Sequence, residues 1–217
     1  MTDPVKPTRR YESPRRREQA EATRRAILEA AGRLFAEQGY AGTTMAAIAA
    51  EAQVAPKTVY VAFETKGGVL RGLWHLLLRG DQDERPVAER AWYQQVLDEP
   101  DPERKLRLNA SNARRVKERA GWLLAVIRSA AETDPDMREL WARIEREFHE
   151  NQLVVVQSLA AAGGLRPGLD VARAADILWT LNHPDVWLLL VGGRGWSADE
   201  FERWFGDAVC AQLLAPA

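Results

Sequence analysis

One cysteine, Cys210, is all that the 217-residue chain contains, so no disulfide can form within it and no Cys-based metal cluster can be built. That usage suits a reducing, cytoplasmic setting. Histidine is nearly as scarce: His75, His149 and His183 stand in no metal-ligand spacing, and no Gly-x-Ser-x-Gly nucleophile motif accompanies them. Neither an enzyme nor a cofactor or metal site is therefore expected. Long hydrophobic runs are missing too. The most apolar stretches, Trp122 to Ile127 and Val186 to Val191, fall far short of the ~20 residues that span a bilayer. The basic amino terminus has no apolar run before Ala26, as a secretory signal would require. A soluble chain without a membrane partner is expected.

Alternating apolar and polar positions, the mark of half-buried strands, are also lacking, as are internal repeats. What is present is globular: 46% hydrophobic and 28% charged residues, enough for a sizeable core. The net charge of −1 conceals an uneven distribution. Residues 1–80 hold 13 Lys and Arg against 8 Asp and Glu, whereas residues 81–217 hold 17 against 23. A basic front and an acidic back confine any contact with a polyanion to one end.

Residues 1–16, with Arg9, Arg10, Arg15 and Arg16, show no apolar periodicity and read as a flexible basic arm, either a DNA-tracking tail or a solvated one. Helix is expected from about Arg17, with Ile27, Ala31, Leu34 and Phe35 on one face and Gly39 as its left-handed stop. Thr43 or Thr44 can cap a helix of about two turns whose Met45, Ile48, Ala49 and Ala52 face inward. Pro56 suits the first position of a third short helix reaching Ala62. Gly67-Gly68 offers a pliable joint before a longer helix carrying Val69, Leu70, Leu73, Trp74 and Leu77.

Further on, Asp101-Pro102 and Asp134-Pro135 read as capped helix entries, Asp170 as another cap, and Ser197 with Glu200 as a capping box. All-α is the expected class: an amino-terminal three-helix bundle with a helix-turn-helix, followed by a second helical half. Pro184 interrupts the segment from Val171 to Val191. Either one helix stops and restarts there with Asn182 as cap, or the freed groups and His183 face a pocket.

Two short helices meeting at a tight turn place the second across base edges in the major groove. In that geometry Lys57, Thr58 and Tyr60 are candidates for phosphate or base contact, and Thr43 or Thr44 for a phosphate at a helix N-terminus. Ala55 leaves the approach unobstructed. Lys66 and the arginines Arg15, Arg16 and Arg17 would add charge.

Over residues 18–71, Gly39-Tyr40, Thr43-Thr44, Ile48-Ala49, Val54, Thr58-Val59-Tyr60, Phe63 and Lys66 resemble the DNA-binding region of the TetR family of transcriptional regulators. Leu165-Arg166-Pro167-Gly168 and Gly195-Trp196-Ser197 are similar, more loosely, to the regulatory half of one large group in that family. The resemblance implies a homodimer on a pseudo-palindromic double-stranded operator, most often a repressor released by a small-molecule effector. A DNA-binding architectural or adaptor protein without a ligand is the alternative. Three departures stand out: Gln53 where the family has Gly in the turn, Ala55 where Ser often precedes Pro, and Val61-Ala62 in place of a polar pair. Gln53 is then expected to take a backbone conformation that Gly adopts at less cost.

These features divide the chain into the arm at 1–16, a reader at 17–66 and a regulatory and dimerisation half at 67–217. The 8 tryptophans all lie from residue 74 onward. Large amphipathic rings with scattered polar groups line apolar pockets. Trp92, Tyr93, Asn112, Trp122, Trp141, Trp179, His183 and Trp187 are the candidate pocket set, and the resemblance implies that a pocket exists. The stripe Phe201, Trp204, Phe205, Ala208, Val209 and Leu213 is wide and aromatic enough for a dimer interface, with an intrachain core as the other reading.

Overall fold

The computed structural model describes residues 14–79 and 87–215. Among these residues ten α-helices follow one another: α1 Pro14–Gly42, α2 Met45–Glu51, α3 Pro56–Phe63, α4 Lys66–Arg79, α5 Ala91–Asp98, α6 Pro102–Thr133, α7 Pro135–Ala161, α8 Val171–Leu181, α9 Pro184–Trp187 and α10 Ala198–Leu213. A 3-10 turn at Val87–Glu89 precedes α5, and a π-helical turn at Leu188–Gly193 continues α9. Among the described residues the only β pairing is an isolated bridge between Leu165 and Leu214, so the class is all-α. No described helix is long and apolar enough to cross a membrane.

Helix boundaries follow from local chemistry. Thr44, Asp101, Asp134, Asp170 and Ser197 each accept a backbone N–H of the turn that follows them, satisfying donors that have no intrahelical partner. Ser197 and Glu200 form a reciprocal capping box. At Gly39 the backbone turns to φ 68°, ψ −177°, which interrupts α1 one turn before its end. Helix α1 begins at Pro14 rather than near Arg17, so Arg15 and Arg16 are helical; Arg9 and Arg10 lie outside the described residues.

Two apolar cores result. The first joins Ile27, Phe35, Ile48, Val59 and Leu70 of α1–α4 to Leu123, Ile127, Met137 and Leu140 of α6 and α7. The second packs Val155, Leu178, Trp187, Phe201 and Phe205 around the other halves of α6 and α7. Each fully buried Leu, Ile or Phe contributes roughly 1.5–3 kcal/mol. Helices α6 and α7 thus belong to both cores, and the first core runs across the division at residues 66–67.

Candidate nucleic-acid interface and internal cavity

In the helix-turn-helix, Thr44 Oγ1 accepts the Ala47 N–H at 3.1 Å, and Met45, Ile48 and Ala49 fasten α2 to the core. The turn closes through Val54 N–H to Ala49 O at 3.0 Å. Gln53 sits there at φ 55°, the left-handed conformation expected of the residue standing where the family has Gly. Ala55 is extended, with Pro56 opening α3. Buried Val59 and Phe63 pin α3 from below, and Arg24 holds its far end by donating to Ala62 O at 2.7 Å while lying over the Phe63 ring.

What α3 offers outward is Lys57, Tyr60 and Val61, with Thr58 half-buried. Val61 is 75% exposed, more than Tyr60 at 52%; an apolar side chain so placed can meet a thymine methyl. Thr44 and Ala55 are exposed as well, and Arg15, Arg16 and Arg17 project from the first turns of α1.

Two expected contacts are corrected. Thr43 is fully buried, its hydroxyl donating to Gly39 O at 2.8 Å across the break in α1. Lys66 directs its ammonium to Tyr40 O at 2.7 Å and Thr43 O at 2.9 Å, and lies 4.1 Å from the centre of the Tyr40 ring. Both residues close the carbonyl end of α1 instead of facing a phosphate. Nor is Gly67-Gly68 a loose joint. Both residues are inside α4, and a Cβ at Gly68 would stand 2.1 Å from Phe63 O, while one at Gly67 would stand 3.0 Å from Met137 Cε. Glycine is required at 68, where the neighbour is backbone, whereas at 67 the neighbour is the flexible end of Met137.

Behind this junction α4 runs into a cavity of about 130 Å³ enclosed by α4, α5, α6, α7 and the α8–α9 break. By the same measure one water needs roughly 10–15 Å³, so the space suits a small organic molecule. Trp74, Leu78, Leu124, Ile144 and Phe148 supply apolar wall. Of the expected pocket residues, Trp92, Tyr93 and Asn112 line it. Asn112 Nδ2 donates to Trp92 O at 2.9 Å, and Tyr93 donates to Asn151 O at 2.6 Å. Burial pushes the Tyr93 phenol up to about 12, so it remains a donor.

The others are placed elsewhere. Trp122 and Trp141 pack on the first core. Trp187 is buried in the second core, edge-on to Phe201 at 4.9 Å. Trp179 stands 5.1 Å from His183 on the far side of the break. His183 caps α9: its Nδ1 accepts the Asp185 N–H at 3.2 Å, which leaves the Nε2 proton for Glu145 at 3.3 Å. The chain therefore stops and restarts at Pro184, yet a pocket residue comes from that break after all. Asn182, the C-cap of α8, turns its buried amide into the cavity.

Sequence reasoning missed the polar floor. Asn109 and Asn182 donate to Gln152 Oε1 at 3.5 and 3.3 Å, and Lys117 donates to Asn182 Oδ1. All four are buried and line the cavity. Burial without a compensating carboxylate lowers the Lys117 ammonium to about 7. A lysine on the inward face of α6, at spacing eight from Asn109, was the available signal.

The interface stripe is also corrected. Phe201, Phe205, Val209 and Leu213 are completely buried in the second core, because α10 turns that face onto α6 and α8; only Trp204 and Ala208 keep partial exposure.

Residues 27–73, from the middle of α1 into α4, match the sequence profile of the bacterial regulatory proteins of the tetR family. The chain is 28% identical over 211 residues to the HTH-type transcriptional regulator TtgR of Pseudomonas putida, covering 94% of this chain and 97% of that one. Among solved structures, the fold is similar to FadR of Bacillus subtilis in complex with stearoyl-CoA, with TM-score 0.68 at 19% identity, covering 86% of this chain and 97% of that one. It is equally similar to a protein of Saccharomonospora viridis in complex with choline, with TM-score 0.69 at 18% identity and coverage of 89% and 98%. With its helix-turn-helix set on an all-helical carboxy-terminal half, the chain resembles the TetR family of transcriptional regulators, whose profile its residues 27–73 match.

Proposed function

We propose that the chain is a ligand-responsive repressor of the cytoplasm, binding a pseudo-palindromic operator as a homodimer and leaving it when a small, largely apolar effector fills the cavity. The observation that carries this reading is the course of α4. Its first residues, Lys66 and Gly67, pack on the end of α1 and the start of α7, while Trp74 and Leu78 two turns later form cavity wall. A molecule that displaces Trp74 or Leu78 acts on the helix that supports the reader.

Dimeric readers of this type must enter successive major grooves, about 34–36 Å apart. An effector favouring a dimer with another separation moves the population off DNA. In this reading residues 17–66 form the reader and 67–217 the regulatory half. Thr44, Ala55, Lys57, Thr58 and Tyr60 meet the operator, Val61 adds an apolar base contact, and Arg15, Arg16 and Arg17 track phosphate. The second copy packs on the outer faces of α8 and α10, at Trp204 and Ala208. Solved relatives that hold stearoyl-CoA and choline support a ligand-binding regulatory half.

Selection of bound duplexes from a random pool tests the proposal. An inverted repeat is expected, with one dimer per site by sedimentation and affinity falling steeply with salt. Recovery of no inverted repeat, or binding indifferent to salt, refutes it. Operator affinity unaffected by every molecule that raises the melting temperature favours an architectural or adaptor role instead.

A further inference from the structure

The polar floor of the cavity has more donors than acceptors. Gln152 Oε1 is used twice, by Asn109 Nδ2 and Asn182 Nδ2, and Asn182 Oδ1 is used by Lys117. Lys117 has three N–H groups and Gln152 Nε2 two. Of these five, only the one on Asn182 has an acceptor among the described residues. Buried donors are ordinarily satisfied, and a charged one left without its counter-ion is the most costly kind.

Lys117 is 6% exposed, and the rings of Phe201 and Phe205, 5.5 and 5.9 Å away, close its other side. Its partners therefore have to come from the cavity. The contrast with Lys105 is instructive, since that buried residue does not line this cavity and its ammonium is taken up by Leu97 O and Ser158 Oγ. Two carboxylates line the same space. Glu145 already faces His183 Nε2, and Glu147 is exposed at the mouth.

We infer that the effector is an amphipathic monocarboxylate whose carboxylate accepts hydrogen bonds from Lys117 Nζ and Gln152 Nε2 while its apolar body lies against Trp74, Leu124 and Phe148. This rests on the reading of the cavity as the effector site and names the chemical class of its occupant. A carboxylate supplies the acceptors and negative charge that the floor lacks, and charge-assisted bonds of this kind are about twice as strong as neutral ones. A cationic headgroup would meet Lys117 as a like charge. A neutral one would leave the ammonium unpaired. As the ion pair forms, the amine, lowered to about 7 when alone, is drawn back to its charged state.

A matched series with one apolar body tests the assignment: 4-phenylbutyrate, 4-phenylbutanamide and 4-phenylbutylamine, with phenylacetate, octanoate and decanoate to vary the body. Affinities are measured by calorimetry on the full chain. The best acid is expected to bind at least about tenfold tighter than its amide, with the amine weakest. Lys117→Met is expected to erase the preference for acid while leaving amide binding intact. Gln152→Glu, which places a resident carboxylate on the same cavity floor as Lys117, is expected to do the same without emptying a buried site, and serves if the methionine variant does not fold. Equal affinity for acid and amide, tighter binding of the amine, an acid preference that survives in either folded variant, or no binding by any acid overturns the assignment. Acid binding that leaves operator affinity unchanged would uphold it and sink the effector reading instead.

Discussion

Tyr40 at the end of α1 donates its phenolic hydroxyl to Asp134 Oδ2 at 2.5 Å, joining the reader to the first turn of α7 across 94 residues of sequence. The other oxygen of Asp134 accepts the Asp136 and Met137 N–H groups at 3.0 and 3.4 Å, so one carboxylate both caps α7 and holds Tyr40. Burial, followed by the hydrogen bond and charge of Asp134, pushes the Tyr40 phenol well above its ordinary range, and it stays a donor throughout the working pH range. Tyr40→Phe is expected to cost about 1.5–3 kcal/mol, the worth of a hydrogen bond to a charged group. Asp134→Asn should cost less, because Asn also caps helices. Urea unfolding of both single variants and the double should give a coupling of at least about 0.5 kcal/mol. Strict additivity would mean that the contact carries no energy.

Gly68→Ala should be far more harmful than an alanine in a helix ordinarily is. Its Cβ would stand 2.1 Å from Phe63 O, so α3 or α4 must move. A loss of about 1–3 kcal/mol is expected, as for overpacked sites, together with weakened operator binding because the clash changes how α3 sits on α4. Thermal unfolding and fluorescence anisotropy on operator DNA read the two effects. An unchanged melting temperature would contradict the close approach.

Gln53→Gly should act in the opposite direction. A non-glycine residue at φ 55° is disfavoured by roughly 1–2 kcal/mol, offset in part by the greater freedom of glycine in the unfolded chain. A net gain of about 0.5–1 kcal/mol in urea unfolding is expected. A net loss would show that the Gln53 side chain is itself needed.

On the reader surface, Lys57→Ala and Tyr60→Ala should weaken operator binding and leave unfolding unchanged, because both side chains are exposed on α3. If Lys57 meets phosphate, its loss should also reduce the slope of log affinity against log salt by about one. Lys66→Ala should behave differently, lowering stability, since its ammonium holds the Tyr40 and Thr43 carbonyls. Normal operator binding by both α3 variants would mean that another surface reads DNA.

Lys117 should leave a signature in the pH dependence of stability. Its folded value is lowered to about 7, below the unfolded lysine range, so between those values the unfolded chain binds more protons than the folded one. The penalty is complete below about pH 7 and is relieved as pH rises toward the unfolded value, with a limiting slope of about 1.4 kcal/mol per pH unit. Lys105, also lowered by burial, adds a slope of the same sign. Lys117→Met should therefore be more stable than the parent at pH 7, with the difference shrinking by pH 9.5. A difference independent of pH would place the amine outside the buried floor.

Much of the fold was legible because its determinants are local. Thr44, Asp101, Asp134, Asp170 and Ser197 cap helices through bonds to residues two or three positions on, and the strain at Gln53 belongs to a turn of four residues. The candidate sites were legible only in part. Thr43 and Lys66 have the right chemistry for phosphate, but the break at Gly39 leaves carbonyls that capture both. Trp122, Trp141 and Trp187 have the right chemistry for a pocket, yet the rotation of α6, α7 and α9 commits them to the cores. Periodicity finds the apolar stripe of α10, but an inward stripe and an interface stripe have the same spacing.

By itself, then, the sequence determined the all-helical class, the helix-turn-helix with its strained turn, and the family resemblance of that region, since each depends on short-range periodicity, capping and residue order. The tertiary structure alone decided which polar groups are spent and which remain available. Lys66 and Lys117 are both lysines on helices: one closes the end of α1, while the other stands in a cavity with donors to spare. That difference arises from how α4, α6, α7 and the break at Asn182 pack in space, and packing among distant segments leaves no local mark in the chain.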